Sequence, residues 1–307
     1  MVAFKRSLYI EGVGRNIDAG AWQDLPDKHR LSSGFGHDFL VCGGGRLITG
    51  RLWASKDGKG RSLYPMVVCV QSENIALAPS TLITFPLLTD LQKICQQEEQ
   101  AIVVQSAVAS MQRKLPTIWS DPQRQTLGLQ QELTTPDYVE WLEQVSASGQ
   151  GSGLQRFCHR LIRDCASFEG YSISRGEEPL PQQMRVPACS QSSEWSLLFW
   201  AALMRKGLSD QVPLILFRPF ESDWVDILVG IPQAQQFACL LSGRDAIPLV
   251  TDIPYSLGED SRDKCAQLSE IWCSEVESGM PGLWELPSNG KERSLSGLWE
   301  RVQGLIR

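Results

Sequence analysis

Two apolar runs, FLVC at 39–42 and RLITGRLWA at 46–54, are separated only by Gly43, Gly44 and Gly45. Glycine enters the positive-φ conformations of a tight reversal without a Cβ clash, so the spacing predicts a hairpin at 43–45. A third apolar run, LYPMVVCV at 63–70, follows a charged, glycine-broken stretch. The three together predict an antiparallel meander over 39–70. The third run is almost continuously apolar, which predicts a strand buried on both faces.

Helical periodicity takes over downstream. Leu87, Leu88, Leu91, Ile94 and Cys95 recur at helical spacing, continuing through Ile102 to Met111, and predict a helix over 87–114. Thr135, Pro136 and Asp137 make a good start for a helix over 136–146. Leu154, Phe157, Cys158, Leu161, Ile162 and Cys165 share a face of a helix over 153–167. Between these two lies SASGQGSG, residues 146–153, the most linker-like stretch of the chain. The polar stretch 172–193 reads as a connection into a helix over SEWSLLFWAALMRKG. Strands are expected again at 212–217 and 224–230, as a second hairpin, followed by a helix opening at Pro232. Two amphipathic helices are expected at 261–278 and 294–306. The order strands, helices, strands, helices predicts an α+β fold, a largely antiparallel sheet flanked by helices. The expected organisation is one domain over 1–250, with a possible subdivision near 146–153, and a helical C-terminal extension over 251–307.

Composition narrows the function classes. The net charge is -6 and the basic residues are not clustered, so no nucleic-acid footprint is visible. No apolar stretch approaches the roughly 18 residues that span a bilayer. No signal peptide is read, and the expected location is the cytoplasm. The nine cysteines include no CxxC pair and sit mostly in apolar runs, which predicts buried thiols rather than disulfides or a zinc site.

No residue set demands catalysis. GHDFLVCGGG places His37, Cys42 and glycine N–H groups together in sequence, a possible base, nucleophile and oxyanion donor set. On one extended strand, however, His37 and Cys42 lie about 16 Å apart and on opposite faces. His159 shares a helix with Cys158 and Cys165 but not their face; His29 has no such neighbours. GVGRNIDAG and KDGKGRS fit neither the P-loop nor the dinucleotide-binding fingerprint. The carboxylates Asp223/Asp226 and Glu98/Glu99 read as solvated surface groups. No cofactor or metal is expected.

The charged stretch ASKDGKGRSLYPMVV has its own physics. Asp57 accepts backbone N–H bonds two residues on, as in an Asx turn. Gly58 and Gly60 permit positive φ. Arg61 offers five donors in a planar fork for loop carbonyls, or for an acidic partner. Pro65 is tolerated at the start of a strand or on an edge. In context, FLVCGGGRLITGRLWASKDGKGRSLYPMVV resembles the TagF (ImpM) family, accessory proteins of bacterial type VI secretion. The matching residues are Ser55, Asp57, Gly60, Arg61, Tyr64 and Pro65, with the gap from Arg61 to Pro65 one residue longer than is usual in that family. A weaker match is SLLFW at 196–200 followed by Gly230, Pro232, Phe237, Leu240 and Leu241. The family's early Gly-Lys-Leu-Pro…Gly-Asp-Phe signature is replaced here by EGVGRNIDAGAWQDLP at 11–26.

The resemblance implies a non-catalytic regulator that controls type VI secretion after translation, typically by restraining activation. A scaffold protein with a forkhead-associated domain is the partner it implies. Trp22, Trp53, Trp119 and Trp224 are candidate exposed interface anchors, because Trp is enriched at binding hot spots. The alternatives are a hydrolase using Cys42 and His37, or a structural subunit of a larger assembly.

Overall fold

The computed structural model describes residues 6–15, 35–55, 65–73, 77–98, 100–121, 182–188, 193–208, 210–222 and 224–240. Apart from 202–208, these belong to one compact unit. The helices expected at 136–146, 153–167, 261–278 and 294–306 lie outside the described residues. So do the 146–153 subdivision and the 250/251 boundary.

The fold is α+β. Six strands form one antiparallel sheet: β1 (Gly36–Gly43), β2 (Arg46–Ala54), β3 (Pro65–Glu73), β4 (Gln182–Pro187), β5 (Leu214–Pro219) and β6 (Trp224–Val229). Their spatial order is β3-β2-β1-β5-β6-β4. The meander expected over 39–70 is β1 to β3. Its first turn is as tight as the glycines allow: Gly43 pairs with Arg46, leaving Gly44 and Gly45 at φ +60 and +72. Two consecutive positive-φ residues are the requirement of a type I′ hairpin. Asp210 secures the turn, its carbonyl accepting from the Gly44 N–H at 2.7 Å and its carboxylate from the Gly45 N–H at 2.9 Å.

Three helices are described: α1 (Leu77–Gln97), α2 (Ala101–Ser120) and α3 (Ser193–Gly207). α1 and α2 replace the single helix expected over 87–114. The helix breaks at 98–100, where two glutamates and a glutamine interrupt the apolar period. It also begins earlier and ends later, because Pro86 and Pro116 are carried inside the helices. Pro86 is on the exposed side, while Leu82, Phe85, Leu88 and Leu91 are buried. Burial of roughly 1.5–3 kcal/mol per such side chain outweighs the loss of one helical hydrogen bond.

The two faces of the sheet are covered differently. α1 lies on the face of Arg51 and Ser72: Arg51 donates to the Thr89 hydroxyl, and the hydroxyls of Ser72 and Ser80 are 3.0 Å apart. On the other face a π-type helical segment, Arg6–Gly14, and a 3-10 helix, Ala234–Leu240, close a core. That core holds Leu8, Val13, Phe39, Leu52, Phe217, Leu228, Phe237 and Leu240. Phe217 is its hub, with ring centroids 6.0 Å from Phe39 and 6.1 Å from Phe237.

Two strand expectations are corrected. β4 arises from the polar stretch read as a connection: QQMRVP alternates Met184 and Val186 with polar residues, and both are buried. β3, expected to be buried on both faces, is an edge strand whose residues 66–71 are half-buried, because among the described residues it pairs with β2 alone. The helix expected from Pro232 is the short 3-10 turn named above.

Candidate functional site

The buried charges gather at one end of the sheet, where β1, β3 and β6 begin and β2, β4 and β5 finish. The register brings Asp38 opposite Arg51 on one side and opposite Arg218 on the other. The Arg51 Nε lies 2.6 Å from the Asp38 carboxylate, and its guanidinium sits 4.6 Å above the Phe220 ring. Phe220 lies over Gly36, where a Cβ would meet the ring at 2.1 Å. Arg218, 2% exposed, donates through Nε and Nη2 to the Ser222 carbonyl at 3.3 and 3.0 Å. It ties the β5–β6 hairpin closed, helped by the Ser222 hydroxyl donating to the Pro219 carbonyl at 2.8 Å. This is the loop-carbonyl role that sequence reasoning gave to Arg61.

The opposite face repeats the pattern. Arg185 on β4 grips Asp226 on β6 with two parallel bonds, Nε–Oδ1 at 2.8 Å and Nη2–Oδ2 at 2.9 Å. The guanidinium rests 5.0 Å from the centre of the Trp224 ring. Asp226 is 1% exposed, which corrects its reading as a solvated carboxylate. Burial raises its pKa above the ordinary value, and the bonds and charge of Arg185 oppose that rise. Its neighbour Cys239 is raised well above an ordinary thiol, first by burial and then by the Asp226 charge.

His37 opens the same end of β1. It is 4% exposed, and its ring lies 5.1 Å from that of Phe35. Burial holds its pKa down to about 3, with the Arg185 charge adding to the effect. Its Nδ1 has no hydrogen-bond partner among the described residues. An imidazole in this state is neutral at physiological pH. Cys42 lies five positions along the same continuous strand, paired with Leu47 and Leu214 where His37 pairs with Leu52 and Pro219. The extended backbone therefore sets the two about 16 Å apart.

Of the residues matched to the charged turn, Ser55 and Pro65 are described. Pro65 opens β3 opposite Ala54, and its carbonyl accepts a hydrogen bond from the Tyr9 hydroxyl. Asp57, Gly60, Arg61 and Tyr64 lie outside the described residues, as does Trp22. Trp53 is corrected from exposed anchor to packed residue. It is 2% exposed, because it points to the face that α1 covers. Trp119 is half-buried on α2, its indole N–H donating to the Thr84 hydroxyl at 3.4 Å. Trp224 is half-buried beneath Arg185.

Cys42 and Cys239 are buried thiols and Cys69 and Cys95 half-buried ones. No group of three His, Cys, Asp or Glu among the described residues converges as a metal site would require. No helix among them is long and apolar enough to cross a membrane.

Sequence reasoning missed Asp38, Arg51, Arg185 and Arg218. The available signal was a lone Asp or Arg within an otherwise apolar strand sequence, as in GHDFLVCG, LILFRP and WVDILV. Buried charges need partners, so such charges imply cross-strand pairs. Comparison with known proteins finds no match, whether to family models, to curated proteins or to solved structures.

Proposed function

We propose that this protein is a non-catalytic accessory protein of a bacterial type VI secretion system, acting in the cytoplasm by binding another protein. The supporting observation is the stretch from Phe39 to Val68, whose residues resemble the TagF family at Ser55, Asp57, Gly60, Arg61, Tyr64 and Pro65. The pairing of Ala54 with Pro65 agrees with that reading: it makes 55–64 the link between neighbouring antiparallel strands, as the family pattern requires. Asp38, Arg51, Arg185 and Asp226 are locked in pairs, and His37 is held neutral. Such groups fix geometry and hold no proton ready for exchange.

The partner is a protein of the secretion apparatus, with a forkhead-associated scaffold as the first candidate, and the effect is restraint of activation. Affinity capture of the tagged full chain from a host with an intact apparatus tests this. The expected result is recovery of that scaffold, with loss of recovery on Arg61→Ala. Recovery of no apparatus component, together with unchanged secretion on deletion of the gene, rules the reading out.

A further inference from the structure

We infer that α2 packs through its exposed face against α2 of a second copy of this chain, antiparallel about a twofold axis at Ser106. This holds or fails independently of the regulatory reading.

α2 is poorly supported for a helix of 20 residues. Its first half, 101–111, is rich in weak helix formers: Ile102, Val103, Val104 and Val108 are β-branched, and Ser106 and Ser110 add two serines. Gln100, at the cap position, makes no capping hydrogen bond through its side chain, and no acidic residue stands in the first turn. Most helical stability in proteins comes from burying a face. Yet Leu115 is the one buried residue described on α2, and the first half has none. Ile102 is 69% exposed, and Val103 and Val108 are exposed as well.

The helix has two sides. Leu115 is buried, and one turn on the Trp119 indole reaches Thr84 of α1. At about 3.6 residues per turn, Ile102, Ser106, Ala109 and Arg113 lie together on the side opposite Leu115, and all four are exposed. Their alternating spacing of four and three is that of a seam between two packed helices. Antiparallel about Ser106, Ile102 of one copy stands level with Ser110 of the other. It enters the gap bounded by Ser106, Ala109, Ser110 and the Arg113 stem, which small side chains leave open. The same contact recurs across the axis, so both isoleucines are covered.

Charge selects a second copy and sets the direction. Residues 101–111 carry no charge, and Ser106 is their midpoint. Glu98 lies just before this segment, Arg113 and Lys114 just after it, and all three are exposed. Antiparallel overlap of the two uncharged segments brings Arg113 and Lys114 of each copy to the level of the other's Glu98. Parallel pairing would set Arg113 and Lys114 against their own copies, which is repulsive. The surface that needs covering thus carries the charges that its own copy complements.

The test uses the full chain. A contact of one helix per copy is small, so the expected dissociation constant is micromolar. Sedimentation equilibrium between about 1 and 100 µM should show monomer and dimer in exchange. Ile102→Lys should weaken association roughly tenfold or more, because the contact would bury an unpaired charge. Residue 102 is exposed in the single chain, so the dilute variant should melt like the parent. Glu98→Lys should weaken association roughly threefold, and adding Arg113→Glu and Lys114→Glu should restore it. Ser106→Cys, treated with copper phenanthroline and oxygen, which take two thiols to one disulfide, should give a dimer linked from 106 to 106 by peptide mass spectrometry. A monomer at about 100 µM, whether α2 is bare or covered by another segment of the same chain, overturns the inference. So does a dimer indifferent to Ile102→Lys, the absence of the 106 link, or charge reversal without recovery.

Discussion

Burial acts strongly on His37. The unfolded chain takes up its proton near 6.5, while the folded chain resists protonation until about 3. A depressed folded pKa means stability is fully present above 6.5 and is lost as pH falls from there toward 3. The slope is about 1.4 kcal/mol per pH unit, so the loss between pH 6.5 and 4.5 is roughly 3 kcal/mol. Asp226 works in the other direction, since a raised carboxyl pKa favours the folded state on acidification. Comparison with a variant separates them. His37→Leu should shrink the drop in urea-unfolding free energy between pH 7.0 and 4.5 by about 3 kcal/mol. Equal drops in variant and parent would show that His37 is protonated in the fold. None of this was legible at residue 37 itself. The apolar run FLVC marks a strand, but which faces are covered depends on segments far away in sequence.

At the scale of elements, strand type was legible where the local period was clean. β1, β2, β5 and β6 were all anticipated, as was the glycine turn between the first two. β4 was not, because QQMRVP carries too few apolar residues to declare a period, and its stability comes from pairing with β6. α1 was misjudged at its start because Pro86 normally ends a helix, and only tertiary burial of Phe85 and Leu88 overrides that rule. Between β1 and β2 the fit is close enough to test. Phe39 is directly opposite Gly50, and a Cβ on Gly50 would meet the Phe39 ring at 2.1 Å. The ring is fully buried and held against Phe217, so it has no room to yield. Gly50→Ala should therefore cost about 1–3 kcal/mol as overpacking. Phe39→Leu should absorb part of that, so the double variant should unfold less easily than the sum of the singles implies. A Gly50→Ala protein of parental stability, or strictly additive losses, would contradict this packing.

At the scale of the whole molecule, the α+β class was legible, because counting strand and helix periods suffices for a class. The buried charge pairs that make up the candidate site were not. Asp226 meets Arg185 only because β4 and β6 are neighbours, and no local pattern names a strand's neighbour. The same long-range pairing sets how the fold can be divided. β1 is an interior strand, with β2 from the next few residues on one side and β5 from about 175 positions later on the other. A chain ending at 121 would hold β1 to β3 with α1 and α2, but β1 would become an edge. Its ladder to β5, six pairs from His37↔Pro219 to Cys42↔Leu214, would be left open. Phe39 would lose Phe217, and the core around it would lose Ile215, Leu228, Phe237 and Leu240. Removing half of a shared core exceeds the 5–15 kcal/mol that typically separates folded from unfolded domains. Fragment 1–121 should thus fail to give dispersed amide resonances or a cooperative melt, and co-expression with 122–307 should restore both. A fragment that folded cooperatively by itself would mean that β5 only decorates the sheet, and that the meander, not the joined sheet, is the folding unit.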